Sequence, residues 1–195
     1  MTLVHLVRHG RQVLQGGPIV GRTAGIGLGD AGRAEAERAA ARLSLAPLEA
    51  VYCSPLQRTR ETAAIIAAPH REDAIVLDGL NEVAYGEWTG LTLDELRPLL
   101  AFQRWNDYRS GTRVPGGESM LEVLSRATGA LDDVRSRHPG SAVAVVTHGD
   151  VIRALLLHYL GAPLDLLLRL EVSTGSVSTV ELSDHGPRVL AVNLT

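Results

Sequence analysis

The stretch LVHLVRHGRQ, residues 3–12, sets an apolar run against an abrupt polar group of Arg8, His9, Gly10 and Arg11. A short run rich in valine and leucine, apolar without alternation, reads as a strand buried on both faces. Such a strand belongs to a sheet covered by helices, and its polar end then stands where open α/β sheets bind their ligands, beyond the carboxyl ends of the strands. Residues 141–150, SAVAVVTHGD, repeat the design with His148 and Gly149 at the end of the run.

Between these two strands the chain alternates. Residues 30–44, DAGRAEAERAAARLS, combine high helix propensity with apolar positions at helical spacing. EAVYCS (49–54) reads as a strand and SPLQRTRETAAIIAA (54–68) as a helix that Ser54 caps and Pro55 starts. AIVL (74–77) is a third strand, followed by the irregular DGLNEVAYGEWTG (78–90). One or two helices are expected over 92–109, and PGGES (115–119) introduces a long helix ending near RHPG (137–140). GSVSTVELS and PRVLAVNL, joined by DHG, form a C-terminal hairpin. The fold expected is therefore a three-layer α/β/α sandwich, its central sheet mostly parallel, with an antiparallel edge from the C-terminal hairpin. One domain spans 1–195, a length that buries most of its apolar surface in a single core.

Composition narrows the function. A net charge of -3 argues against a nucleic-acid scaffold. All 19 basic residues are arginine, so a Walker-type phosphate loop and Schiff-base chemistry, both of which need lysine, are excluded. Cys53 stands alone, which rules out an internal disulfide and a four-thiolate zinc site and suits a reducing cytoplasm. The N-terminus has no basic region ahead of its apolar run and does not read as a signal peptide. The leucine-rich VIRALLLHYLGAPLDLLLRLEV (151–172) contains Arg153, His158, Asp165 and Arg169, so it reads as a helix with a buried face and not as a membrane span.

Residues just past the strands make a coherent set: Arg8 and His9, then Ser54 with Arg58 on the following helix, then Glu82, then His148. Taken singly, each is equally readable as a surface residue; Arg58, for example, could face solvent near Glu61. The sequence blocks LVRHG, SPLQRTRET, LNEVAYGEWTG, PGGES and VTHGDVIRALL, in that order from Leu3 to about Leu157, resemble those of the histidine phosphatase superfamily, in the branch that contains phosphoglycerate mutases and many small phosphatases. The resemblance implies that His9 is the nucleophile that takes the phosphoryl group. It implies that Arg8, Arg58 and His148 hold the phosphoryl oxygens, with Gln15 and Gly149 as further phosphate contacts, and that Glu82 is the general acid. Gln12 and Gln15 stand where the family commonly has a small hydroxyl residue and an asparagine, and Glu35 where a glutamine is usual.

The chemistry suits these types. Two guanidiniums and an imidazolium would neutralise a phosphomonoester dianion without a metal or other cofactor. His9 must be unprotonated at one ring nitrogen, which neighbouring arginines favour, and a backbone carbonyl at the other would fix its tautomer. Glu82 must be protonated to serve a leaving alkoxide. Gly10 is read as permitting a sharp turn. Five of the seven aromatic residues, Tyr85, Trp88, Phe102, Trp105 and Tyr108, fall in one window, expected to form a lid or specificity insert at about 84–116 with a polar rim of Arg104, Arg109 and Arg113. Ser54 is read only as a cap, Thr59 and Thr62 as packing residues, and His138 as a solvated loop residue. The function expected is metal-independent hydrolysis of a small phosphomonoester through phospho-His9 in a cytoplasmic enzyme, with no nucleic-acid or membrane partner. The apolar hairpin also allows a homodimer. The rival readings are a cofactor-dependent phosphoglycerate mutase, for which the chain looks short, and a non-catalytic phospho-ligand binder, for which a nucleophile and a proton donor would be superfluous.

Overall fold

The computed structural model describes residues 1–195. Six strands form one sheet: β1 (Thr2–Arg8), β2 (Leu48–Cys53), β3 (Ala74–Val76), β4 (Ala142–Thr147), β5 (Val177–Ser183) and β6 (Gly186–Leu194). Their spatial order is β3-β2-β4-β1-β5-β6. The first four pair in parallel, whereas β5 runs antiparallel to β1 and to β6, giving the expected antiparallel edge. The helices are α1 (Asp30–Leu43), α2 (Gln57–Ala67), α3 (Leu93–Leu96), α4 (Leu100–Asp107), α5 (Met120–Arg137) and α6 (Gly149–Tyr159). None is long and apolar enough to cross a membrane.

Successive side chains of a strand point to opposite faces, and the core divides accordingly. Val4, Leu6, Val143 and Val145 join the face packed under α5, α6 and the buried Trp88 and Trp105. Val7, Ala142, Ala144 and Val146 join the other face, against Ala39, Ala40 and Leu43 of α1 and Ala63, Ile66 and Ala67 of α2. Every residue of β4 is buried, as a central strand covered on both sides requires.

Four local expectations need correction. The stretch 151–172 is not one helix: α6 stops at Tyr159, Gly161 takes a positive φ of 66°, and after Pro163 the chain makes a separate 3₁₀ turn over Leu164–Arg169. Ser54 does not cap α2, whose N-cap is Leu56 with no side-chain bond. The long helix α5, by contrast, is capped by a reciprocal Ser119–Glu122 box within the PGGES segment. His138 is buried, with its Nε2 2.7 Å from the Tyr52 hydroxyl.

Gly10 is needed for close approach and not for a turn, since its φ is not positive. A Cβ there would overlap the carbonyl oxygen of Gly32 on α1, and a Cβ on Gly32 would overlap that of Arg11. The two glycines let the loop after β1 lie directly on α1. A Gly10→Ala variant is expected to lose about 3 kcal/mol of stability, because the obstructing atoms are backbone and cannot rotate away; the denaturant midpoint reads this.

Candidate active site

The site follows from strand register. Arg8 pairs with Thr147, and Cys53 with Val146, so β1, β2 and β4 end level with one another. His9, Ser54 and His148, each the first residue past its strand, must then be neighbours. The rings of His9 and His148 lie 5.2 Å apart, edge to face. Arg58, one residue inside α2, is not on a solvated face but 1% exposed.

His9 is buried and its Nδ1 lies 2.8 Å from the Gly10 carbonyl oxygen, so the ring hydrogen sits on Nδ1 and donates to that oxygen, leaving Nε2 with its lone pair. The Gly10 N–H in turn donates to Thr62 Oγ1 at 3.1 Å, and the Arg11 N–H to Glu35 Oε2 at 2.8 Å. Thr62 and Glu35 thus hold the loop that carries the nucleophile candidate. Burial, then the Arg58 and Arg8 charges, push the His9 ring down to about 3, although the Gly10 bond opposes them, so the ring is neutral at physiological pH.

The arginines have donors to spare. Arg58 donates through Nη2 to the Gly21 carbonyl at 2.8 Å and through Nε to His9 Nε2 at 3.3 Å, while its buried Nη1 has no partner. Arg8 donates through Nη1 to the Val172 carbonyl at 2.6 Å, while its buried Nε has none. Unpaired cationic donors are costly in a protein interior, and an anion would satisfy them.

Glu82 sits on a loop held from several directions. Arg126 of α5 donates to the carbonyls of Gly79, Asn81 and Glu82, Arg22 to that of Glu82, and Thr147 Oγ1 to that of Leu80. Its Oε1 accepts the Val83 N–H at 2.9 Å and its Oε2 lies 3.5 Å from His148 Nδ1. Burial and the nearby Asp150 carboxylate push Glu82 up to about 7, outweighing Arg58, the Val83 bond and Arg8, so the carboxyl is partly protonated near neutral pH without a ligand. His148 is driven well below the ordinary histidine range by burial first and then by His9, Arg58, Arg126 and Arg8. In the free site the His148 ring is therefore neutral.

These groups open on a cavity of about 630 Å³, lined by Arg8, His9, Arg58 and Glu82, by Gln12, Gln15 and the following loop, and by Tyr85, Thr92, Asp94 and Arg97. Gln15 thus borders the cavity, whereas His148 is completely buried beside it. Gly149 packs beneath Arg8, where a Cβ would come within 3.2 Å of Nε. No group of three His, Cys, Asp or Glu side chains is arranged to grip a metal ion. Cys53 is a buried strand residue whose thiol is raised to about 11 by burial.

The residues missed in the sequence are mostly supports. Asp150 accepts from the Tyr85 hydroxyl and Arg109 at 3.1 Å each and from Arg153 at 3.0 Å, and its charge helps set Glu82. Arg109 is no part of a polar rim: it is 4% exposed and its guanidinium lies 4.7 Å over the Trp105 ring. Trp105 also meets Trp88 edge to face, and Trp88 likewise meets Phe102. One signal for Thr59 and Thr62 was available: on a helix Thr62, four positions beyond Arg58, shares its face, and Thr59 lies three positions before Thr62.

A neutral imidazole presenting Nε2 to a cavity, with buried guanidinium donors on either side and a protonatable carboxyl facing them, is the constellation of an enzyme that transfers phosphoryl groups through histidine. The comparisons agree: the family model for the histidine phosphatase superfamily (branch 1) matches residues 4–195. The chain belongs to that superfamily. It is 32% identical over 200 residues to phosphoserine phosphatase 1 of Hydrogenobacter thermophilus, covering 100% of this chain and 93% of that one. It is 37% identical over 156 residues to phosphoglycerate mutase-like protein 4 of Arabidopsis thaliana, covering 77% and 67%. The solved structure of YhfR from Bacillus stearothermophilus superposes with a TM-score of 0.92 at 29% identity, covering 98% of this chain and 96% of that one.

Proposed function

We propose that the protein hydrolyses a small phosphomonoester in two metal-free steps through phospho-His9. The observation that carries this is the pairing of a neutral His9, its Nδ1 held by the Gly10 carbonyl, with the unpartnered Arg58 Nη1 and Arg8 Nε in one cavity. In the first step His9 Nε2 forms a bond to phosphorus as the ester P–O bond breaks, and Glu82 delivers its proton to the leaving oxygen. In the second, water attacks phosphorus, Glu82 takes a proton from it, and the P–N bond breaks to release inorganic phosphate. Arg8 and Arg58 stabilise the phosphoryl oxygens throughout, with Gln15 at the cavity wall as a further contact. Labelling of His9 by a phosphomonoester that survives an alkaline quench and is lost in acid, unaffected by chelators and followed by stoichiometric phosphate release, is the test. Transfer between phosphoglycerates without release would instead assign a mutase.

We read residues 1–195 as a single domain whose segment 84–116 is a specificity insert, because it supplies Tyr85, Thr92, Asp94 and Arg97 to the cavity wall and is anchored by the buried Trp88 and Trp105. At the exposed cavity rim Arg97 donates to Asp94 at 3.1 Å, and a substrate bearing both an ammonium and a carboxylate would exchange that ion pair for one with each of them. Phosphoserine, which the name of the Hydrogenobacter relative also suggests, heads the panel to assay. The exposed Leu190, Val192 and Leu194 of edge strand β6 favour a homodimer along that edge, which sedimentation velocity would detect. The single, unpaired and buried Cys53 supports a reducing intracellular setting.

A further inference from the structure

His148 is completely buried, and its two ring nitrogens meet different partners. Nε2 lies 2.7 Å from Ser54 Oγ, whereas Nδ1 faces Arg58 Nη2 at 3.4 Å and Glu82 Oε2 at 3.5 Å, two residues that line the cavity. Which nitrogen carries the proton follows from counting hydroxyl hydrogens. Thr59 Oγ1 lies 2.7 Å from the Leu56 carbonyl oxygen and 2.9 Å from that of Ser54. Carbonyl oxygens only accept, so at these distances Thr59 commits its one hydrogen to them, shared between the two. Ser54 Oγ, 2.7 Å from Thr59 Oγ1, must then donate to it. Ser54 is left as an acceptor toward His148, and the ring hydrogen sits on Nε2.

We propose that Ser54 and Thr59 are positioning residues that hold His148 as the Nε2–H tautomer, so that Nδ1 can hold a phosphoryl oxygen only after taking up a proton, which couples phosphate binding to uptake of one proton from solution. The proposal rests on the phosphatase reading for its ligand. The balance is simple: the free ring carries one N–H, a solvent proton adds to Nδ1, and the new N–H donates to the anion while no covalent bond of the ligand changes. The charged and titratable groups facing the ring are Arg8 and His9 after β1, Arg58 of α2, Arg126 of α5 and Glu82 of the intervening loop, while Asp150 on its own helix acts on Glu82. In the free site the arginines and burial keep the ring neutral, and an arriving dianion reverses the sign of the local field. The complex then holds one proton more than the free protein, so affinity for a dianion falls about tenfold per pH unit above neutrality.

The test uses the full chain labelled with ¹⁵N-histidine, and tungstate as the dianionic probe. At about pH 8, above the ordinary histidine range, the His148 signals, identified by their loss in His148→Asn, are expected to show Nε2–H alone in the free protein and both nitrogens protonated with tungstate. Tungstate affinity measured in a Glu82→Gln background, which removes the carboxylate as a proton acceptor while the same spectra follow His9 Nε2, is expected to show the tenfold slope with His9 Nε2 unprotonated. Adding Thr59→Val removes the acceptor for Ser54, whose hydroxyl then turns to His148 Nε2. The ring should become Nδ1–H and the slope should flatten. An Nδ1–H or doubly protonated ring in the free wild-type protein, or a slope unchanged by Thr59→Val, would overturn the proposal, and the first of these readings stands even if that variant fails to fold. Tungstate that leaves the His9 signals unmoved would overturn the phosphatase reading and the coupling together, whereas a moved His9 with an Nδ1 that gains no proton would overturn the coupling alone.

Discussion

The His9→Ala variant is expected to lose turnover by about 10⁴-fold or more while keeping its fold. The ring nitrogen supplies the electron pair that accepts the phosphoryl group in the first step, and no neighbouring group can replace it. Cys53 is buried in the sheet with its thiol raised to about 11, and His148 is enclosed with Nε2 tied to Ser54. The one side-chain hydrogen bond lost outside the cavity is that to the Gly10 carbonyl, which leaves the Gly10–Thr62 bond and the Gly10–Gly32 contact in place. The variant should therefore bind tungstate, since Arg8 and Arg58 are untouched, and form no acid-labile, base-stable phosphoenzyme. Appreciable turnover by His9→Ala would refute the covalent route.

The Glu82→Gln variant is expected to lose about 10²–10⁴-fold in kcat on an alkyl phosphate. On an aryl phosphate with a stable phenolate leaving group the loss in the first step should be far smaller, because that oxygen needs no proton. The pH dependence carries the same signature. The form required for the first step is protonated Glu82, held up to about 7 by burial and Asp150. The wild-type kcat/KM must fall as pH rises through about 7, and the break there must vanish in Glu82→Gln. Comparison with the variant also separates this ionisation from the second ionisation of the phosphate ester itself, near about 6. On the acid side His9, held down to about 3, imposes no limit in the neutral range. Equal losses on alkyl and aryl esters, with the break retained, would remove Glu82 from the role of acid.

The alternation of apolar runs and helical spacings was enough to read the sandwich and its antiparallel edge, because strand and helix preferences depend on residues within a turn or two of one another. The positions of Arg8, His9, Arg58, Glu82 and His148 at strand ends were legible for the same reason. The failures have a shared cause. Ser54 looked like a cap because Ser-Pro before a helix has that local chemistry, yet its hydroxyl is engaged by His148, 94 positions away. Arg109 looked like a rim cation because charge in a loop is ordinarily solvated, yet Asp150 and Trp105 hold it inside.

By itself, then, the chain determined its elements, the polar ends of its buried strands and the absence of lysine chemistry. Only the tertiary structure decided that β4 lies between β1 and β2 with its end level with theirs, which brings the rings of His9 and His148 to 5.2 Å. It also decided the charge states: a neutral His9, a neutral His148 and a Glu82 raised to about 7. Desolvation and Coulomb fields depend on what surrounds a group in space, and the groups that matter here come from both ends and the middle of the chain. Gly10 is the clearest instance: the sequence marks it as special, but the reason is a carbonyl of Gly32 that only folding brings against it.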